Sequence, residues 1–137
     1  MVSAMIKNQI SLSKNQKIVL DYIQKTKKPV KAYSILSGVK KKGINAPPQV
    51  YRALDKLIEK GKIHKIESQN SFIACNIGDC ATPHAVAFSI CNQCEIVTEI
   101  NDQKLFKYLS DFKDKSGVNF KGYNLEFFGV CDSCKTV

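Results

Sequence analysis

The sequence predicts an α+β chain in two parts: three helices and a hairpin over residues 1–75, a hinge at 76–83, and a small β-β-α-β module over 84–137. Three observations predict it. Apolar residues recur at helical spacing in three successive segments before residue 60, while most later apolar runs are short and β-like. Charge is partitioned: residues 1–74 hold 15 Lys or Arg against four acids (net +11), and residues 75–137 hold six Lys against eight acids (net −2). All six cysteines lie at or after Cys75. A length of 137 residues suits one domain or two small ones. The 44% hydrophobic and 24% charged content excludes wholesale disorder.

The elements follow in order. Ser13 with Gln16 forms a capping box, and Ile18, Val19, Tyr22 and Ile23 make one stripe ahead of Pro29. A second helix carries Ala32, Ile35, Leu36 and Val39 and closes on Lys40, Lys41, Lys42 and Gly43, cations before a terminal glycine. A third has Asn45 as expected N-cap, Pro47 or Pro48 at its first position, Val50, Leu54, Leu57 and Ile58 on one face, and Gly61 at its end. Arg52 projects opposite that face, with Gln49 and Lys56 beside it. Ile63–Glu67 and Ser71–Cys75 read as strands around Ser68, Gln69 and Asn70. Three helices followed by a hairpin is the order of a winged helix, whose third helix enters the major groove of DNA. The basic first half fits a polyanion partner.

Residues 76–83, with Gly78, Asp79 and Pro83, read as the hinge. Val86–Ile90 and Ile96–Ile100 are expected strands, Asp102–Ser116 a helix closed by Gly117, and Tyr123–Val130 a last strand. A module of this size needs a metal or a partner subunit to supplement its core. The longest uncharged stretch, Cys80 to Cys94, is shorter than a membrane span and includes His84 and Asn92. Met1 to Leu12 has no apolar run of signal-peptide length, so a cytoplasmic protein with no membrane association is expected.

Cys91-Asn-Gln-Cys94 and Cys131-Asp-Ser-Cys134 are two Cys-x-x-Cys knuckles. Together they offer four thiolates to a tetrahedral zinc with no position left for water, a structural rather than a catalytic site. A second metal set is available. With the first hairpin turning on Gln69-Asn70, His64 faces Cys75. With the second turning on Asn92-Gln93, Glu99 faces Val86 and has His84 as its diagonal neighbour. His64, Cys75, His84 and Glu99 offer nitrogen, sulfur and one carboxylate, a donor mixture that zinc accepts.

Several stretches carry a resemblance. They are Lys31-Ala-Tyr33, Pro47-Pro-Gln-Val-Tyr-Arg-Ala-Leu54, His64-Lys-Ile-Glu-Ser68, Phe72-Ile-Ala-Cys75 and the two Cys-x-x-Cys pairs. On these the chain resembles the ferric-uptake-regulator family, and within it the zinc-uptake branch. The resemblance covers nearly the whole chain after about residue 11. It implies a winged-helix DNA-binding domain, a hinge and a β-rich dimerisation domain, hence a homodimer on double-stranded operator DNA. It implies two zinc ions per chain, a structural one on Cys91, Cys94, Cys131 and Cys134 and a regulatory one on His64, Cys75, His84 and Glu99. It assigns operator contact to Tyr51 and Arg52.

Iron- and peroxide-sensing relatives carry a His/Asp-rich run before the first knuckle. Here those positions are Ala85, Val86, Ala87 and Phe88, which offer no metal donor. Cys80, beside Asp79, departs from the pattern and is read as a free thiol. The function implied is zinc-dependent repression of zinc uptake genes, with no enzymatic activity and no small-molecule substrate. An iron- or other-metal-responsive regulator of the same family is the nearest alternative. A zinc-ribbon RNA-binding protein shares the basic charge and the paired cysteines, but the helix order and the exposed Arg52 do not favour it. A zinc hydrolase would need His64, Cys75 and His84 as ligands, with Glu99 as base and an open water position.

Overall fold

The computed structural model describes residues 12–26, 28–75 and 85–135. The expectations for the hinge at 76–83, for Cys80 and for His84 lie outside the described residues. The chain divides into two compact units, Met1–Pro83 and His84–Val137.

In the first unit, α1 spans Lys14–Gln24. Its capping box is formed in full: the Gln16 amide donates to Ser13 Oγ at 3.2 Å, and the Ser13 amide donates to Gln16 Oε1 at 3.1 Å. Strand β1, Val30–Lys31, leads directly into α2, Ala32–Lys40. The sequence reading had no strand there, because two residues carry no periodicity. Helix α3 spans Pro47–Glu59, and its N-cap is Ala46 rather than the expected Asn45. With prolines at its first two positions, two of the amides that have no partner within the helix at its start are missing. Val50, Ala53, Leu54 and Leu57 of α3 join Val19, Ile23, Ile35 and Val39 in one core. Burying each large side chain there contributes roughly 1.5–3 kcal/mol.

Strands β2 (Ile63–Ile66) and β3 (Ser71–Ala74) complete an antiparallel sheet in the order β1-β3-β2. Their register differs from the expected one. Ile66 pairs with Ser71 and His64 with Ile73, so His64 is not directly opposite Cys75. The connection is a four-residue loop, a 3-10 turn over Glu67–Gln69 closed by Asn70 at φ 46°, and not a two-residue turn. Asn is among the few residues that accept this left-handed conformation at low cost.

In the second unit, β4 (Ala85–Cys91) is the central strand, antiparallel to β5 (Val97–Glu99) and parallel to β6 (Tyr123–Gly129). Here too the hairpin loop has four residues, with Glu95 at φ 64° in the left-handed region. Glu99 therefore opposes Phe88 and not Val86. Helix α4 runs from Gln103 to Ser110, with the Asp102 side chain accepting the Leu105 amide at 3.0 Å. It ends six residues before the expected Ser116. Asp114 Oδ1 instead takes the Ser116 amide at 3.1 Å and its hydroxyl at 2.6 Å, a local turn that competes with helix. A short helix, α5 (Asp132–Lys135), follows β6.

Gly38 in α2 has a specific reason to be glycine. A Cβ there would collide with the ring of Tyr22 on α1. Gly38→Ala should therefore destabilise the first unit by about 1–3 kcal/mol from overpacking, although alanine alone would favour helix by about 0.5–1 kcal/mol. Denaturant unfolding followed by circular dichroism checks this, and Tyr22→Ala in the same chain should turn Gly38→Ala into a stabilising change.

Candidate metal centre and nucleic-acid interface

The parallel pairing of β4 and β6 places two chain segments side by side at one end of the sheet. Cys91 is the last residue of β4 and pairs with Gly129, two residues before Cys131. The four-residue loop after Cys91 brings Cys94 back, closed by the Glu95 amide on the Cys91 carbonyl at 2.9 Å. The first turn of α5 brings Cys134 back to Cys131, whose carbonyl accepts the Cys134 amide at 3.0 Å. The Asn92 amide on the Gly129 carbonyl, at 2.8 Å, ties the two knuckles together.

The four sulfurs all lie within 4.8 Å of one another. Cys91 Sγ is 3.8 Å from Cys134 Sγ, and Cys94 Sγ is 3.7 Å from Cys131 Sγ. A tetrahedral zinc with Zn–S of about 2.3 Å requires S···S edges of about 3.8 Å, whereas a disulfide requires about 2.05 Å. The donor set and its spacing therefore fit one soft tetrahedral ion. Backbone amides, those of Cys94 and Cys131 foremost, lower the Cys91 thiol to about 6; the Cys131 amide lies 3.4 Å from its sulfur. Two of its neighbours, Cys94 and Cys134, resist ionising beside it. The Cys131 side chain, then burial, pushes Cys134 up to about 12. At Cys94 the Ile96 amide pulls down, but the Cys91 side chain, burial and the Cys131 side chain outweigh it, and the thiol is raised. Without a cation four thiolates cannot coexist so closely; a divalent ion removes that obstacle.

In the first unit, Cys75 continues the β2–β3 ladder, its amide donating to the Lys62 carbonyl at 3.0 Å. It is thus the diagonal neighbour of His64 on the same face. Both are buried, and a ring nitrogen of His64 lies within 4.8 Å of Cys75 Sγ. The expected adjacency of these two holds, although by diagonal contact and not direct opposition. Glu99 is half-buried on β5, with Val86 and Ile90 as its diagonal neighbours.

On α3, Gln49, Arg52 and Lys56 are exposed, as is Tyr51 at 46%. One constraint was overlooked in the sequence although it was readable at i,i+3 spacing: Lys56 Nζ is 3.4 Å from Glu59 Oε2, so part of its charge is already answered.

The model of the ferric uptake regulator family matches residues 7–128. The chain belongs to that family. It is similar to the zinc uptake regulation protein of Escherichia coli (strain K12), 35% identical over 109 residues, which cover 79% of this chain and 63% of that protein. The protein of the same name from Shigella flexneri matches equally. The match thus spans 63% of the length of these curated relatives. Among solved structures, holo XcZur is similar with a TM-score of 0.81 and 37% identity, over 92% of this chain and 87% of that one. A zinc uptake regulator complexed with zinc and DNA is similar with a TM-score of 0.81 and 30% identity, over 98% and 91%. Among the described residues, no helix is long and apolar enough to cross a membrane.

The sulfur geometry makes a direct prediction. Cobalt(II) added to the metal-free protein should reach its tetrathiolate absorbance at one equivalent, and Cys134→Ser should weaken or abolish that signal. An unchanged spectrum and stoichiometry in Cys134→Ser would remove this cysteine from the site.

Proposed function

We propose that the protein is a zinc-responsive transcriptional repressor that binds operator DNA as a homodimer when its regulatory site holds zinc, and so controls zinc uptake genes. The observation that carries this reading is α3. It buries one apolar face and exposes Gln49, Tyr51, Arg52 and Lys56, in a unit whose sequence carries all of the net positive charge. Its similarity to a zinc uptake regulator complexed with zinc and DNA supports the same reading. The protein acts in the cytoplasm by binding and not by catalysis.

Two zinc ions per chain are proposed, one on Cys91, Cys94, Cys131 and Cys134 and one on His64, Cys75, His84 and Glu99. Zinc, when bound, supplies a cross-link between side chains and the positive charge that lets thiolates gather. The chain's own residues do the rest. The tetrad holds the end of the second unit's sheet, because metal-binding energy in such a module is folding energy. His64 lies on β2 and Cys75 directly after β3, with His84 and Glu99 beyond residue 83, so a shared ion would couple wing order to zinc supply and favour DNA binding by preorganisation. Both imidazoles must be neutral to coordinate, so acid should empty this site early. The donor-free run Ala85, Val86, Ala87 and Phe88 lies in β4, with the last three buried, which supports zinc over the iron- and peroxide-sensing alternatives.

Two experiments test the reading. In a titration of operator DNA at buffered zinc, Arg52→Ala should cost roughly 1–3 kcal/mol and relax sequence preference. Lys56→Ala should weaken all sequences evenly and lower the salt slope by no more than about 0.9. Equal losses on specific and random duplexes for both variants would defeat this division of roles.

The same titration tests the sensor. His64→Ala and Cys75→Ser should keep the tetrathiolate metal yet lose zinc-stimulated binding, while Cys80→Ser responds as wild type. A full zinc response in both His64→Ala and Cys75→Ser would end the sensor assignment.

A further inference from the structure

The tip of the β2–β3 hairpin is held from outside the hairpin. Lys31 Nζ donates to the Gln69 carbonyl at 3.2 Å, across 38 positions of sequence. The next amide, Ala32 N–H, donates to the Asn70 carbonyl at 3.2 Å. That amide is one of those at a helix start that have no partner within the helix, and no side chain caps α2. The hairpin tip provides the cap instead. The tip is also fixed from its own side: buried Ser71 donates its hydroxyl to Gln69 Oε1 at 3.3 Å, and Ser71 pairs with Lys31 in the β1–β3 ladder. Two consecutive carbonyls of the tip are thus held by two consecutive residues at the β1–α2 junction.

We propose that Lys31 is a positioning residue that locks the wing tip to the start of α2, so that the wing and helices α2 and α3 meet DNA as one preorganised surface. The functional half of this rests on the DNA-binding reading above; the clamp itself does not. A charged donor on one of the tip's carbonyls is stronger than a neutral one. Holding the loop before DNA arrives removes an ordering cost from binding. The competing role for a lysine here is direct phosphate contact, but Lys31 is half-buried and its ammonium is already bonded to the chain.

The test uses the full-length, zinc-loaded protein with Lys31→Met, which keeps the apolar stem and removes the donor, and Lys31→Arg, which restores a donor. Residue-resolved amide hydrogen exchange should show Ala32 exchanging about tenfold faster in Lys31→Met. It should be near wild type in Lys31→Arg, with Leu54 and Leu57 unchanged in both. On a duplex selected from random sequences, Lys31→Met should bind several-fold more weakly with an unaltered salt slope. Unchanged Ala32 exchange overturns the proposal. Equal acceleration at Leu54 and Leu57, a general loss of stability, overturns it as well. A salt slope lower by about 0.9 marks a lost phosphate contact and assigns Lys31 that role instead. If the wild type selects no duplex, the DNA reading fails while the exchange result still decides the clamp.

Discussion

The second unit depends on holding the ends of β4 and β6 together. Its buried apolar side chains among the described residues are few: Val86, Ala87, Phe88, Ile90, Cys91 and Val97, all on β4 and β5. Helix α4 and strand β6 bury no residue completely. A core this thin leaves little margin against the backbone entropy of ordering a module of about 50 residues. The parallel β4–β6 pair compounds the difficulty, because its strands are joined only through β5 and the connection carrying α4, a long closure. Cys91 and Cys131, at matching ends of the pair, are where a cross-link shortens that closure most effectively. The sulfur spacing, the loop after Cys91 and the turn of α5 all converge on that point.

How much of this was legible in the sequence depended on the kind of signal. Helices α1 to α3 were, because each buries a stripe and carries its own punctuation: Ser13 with Gln16, Gly43, and the Pro47-Pro48 start. The knuckles were legible because Cys-x-x-Cys encodes a tight turn chemically. Hairpin register was not. Both hairpins turn through four residues that end in a left-handed residue, and in neither is that residue a glycine. Asn70 and Glu95 give no sequence signal comparable to Asn-Gly. The resulting error was two positions in each case. Since side chains alternate with period two, an even shift preserves the face and changes only the neighbour. That is why His64 and Cys75 still meet, whereas Glu99 gained Phe88 as its partner in place of Val86.

In the proposed repressor, the first unit would separate reading from attraction. Its sequence holds the positive charge in lysines, apart from the single Arg52. Ammonium groups attract phosphate without preference for sequence, while a guanidinium fork matches the two acceptors on a guanine edge. Arg52 stands on the exposed side of the helix whose other side is fixed by Val50, Leu54 and Leu57, so its base is held by side chains of the unit's core. Lys56, one turn later, shares its charge with Glu59.

The two proposed metal sites follow different logics that their ligand sources explain. A ligand set drawn wholly from one sheet end, as with the tetrad, can change only the stability of that unit. Its filled charge, four thiolates against one divalent cation, favours retention, because releasing the ion would leave anions crowded at less than 5 Å. A set drawn from β2, Cys75, residue 84 and β5 has one thiolate and one carboxylate, neutral when filled, and its neutral imidazoles bear no such crowding when emptied. Such a site can exchange its ion. Were its ligands to come from both units as proposed, the free energy of that exchange would also be the free energy linking wing order to the second unit. If zinc tightens DNA binding as proposed, then by reciprocity DNA that favours the ordered wing would tighten zinc by the same factor. A site confined to one unit cannot generate that coupling, however tightly it binds.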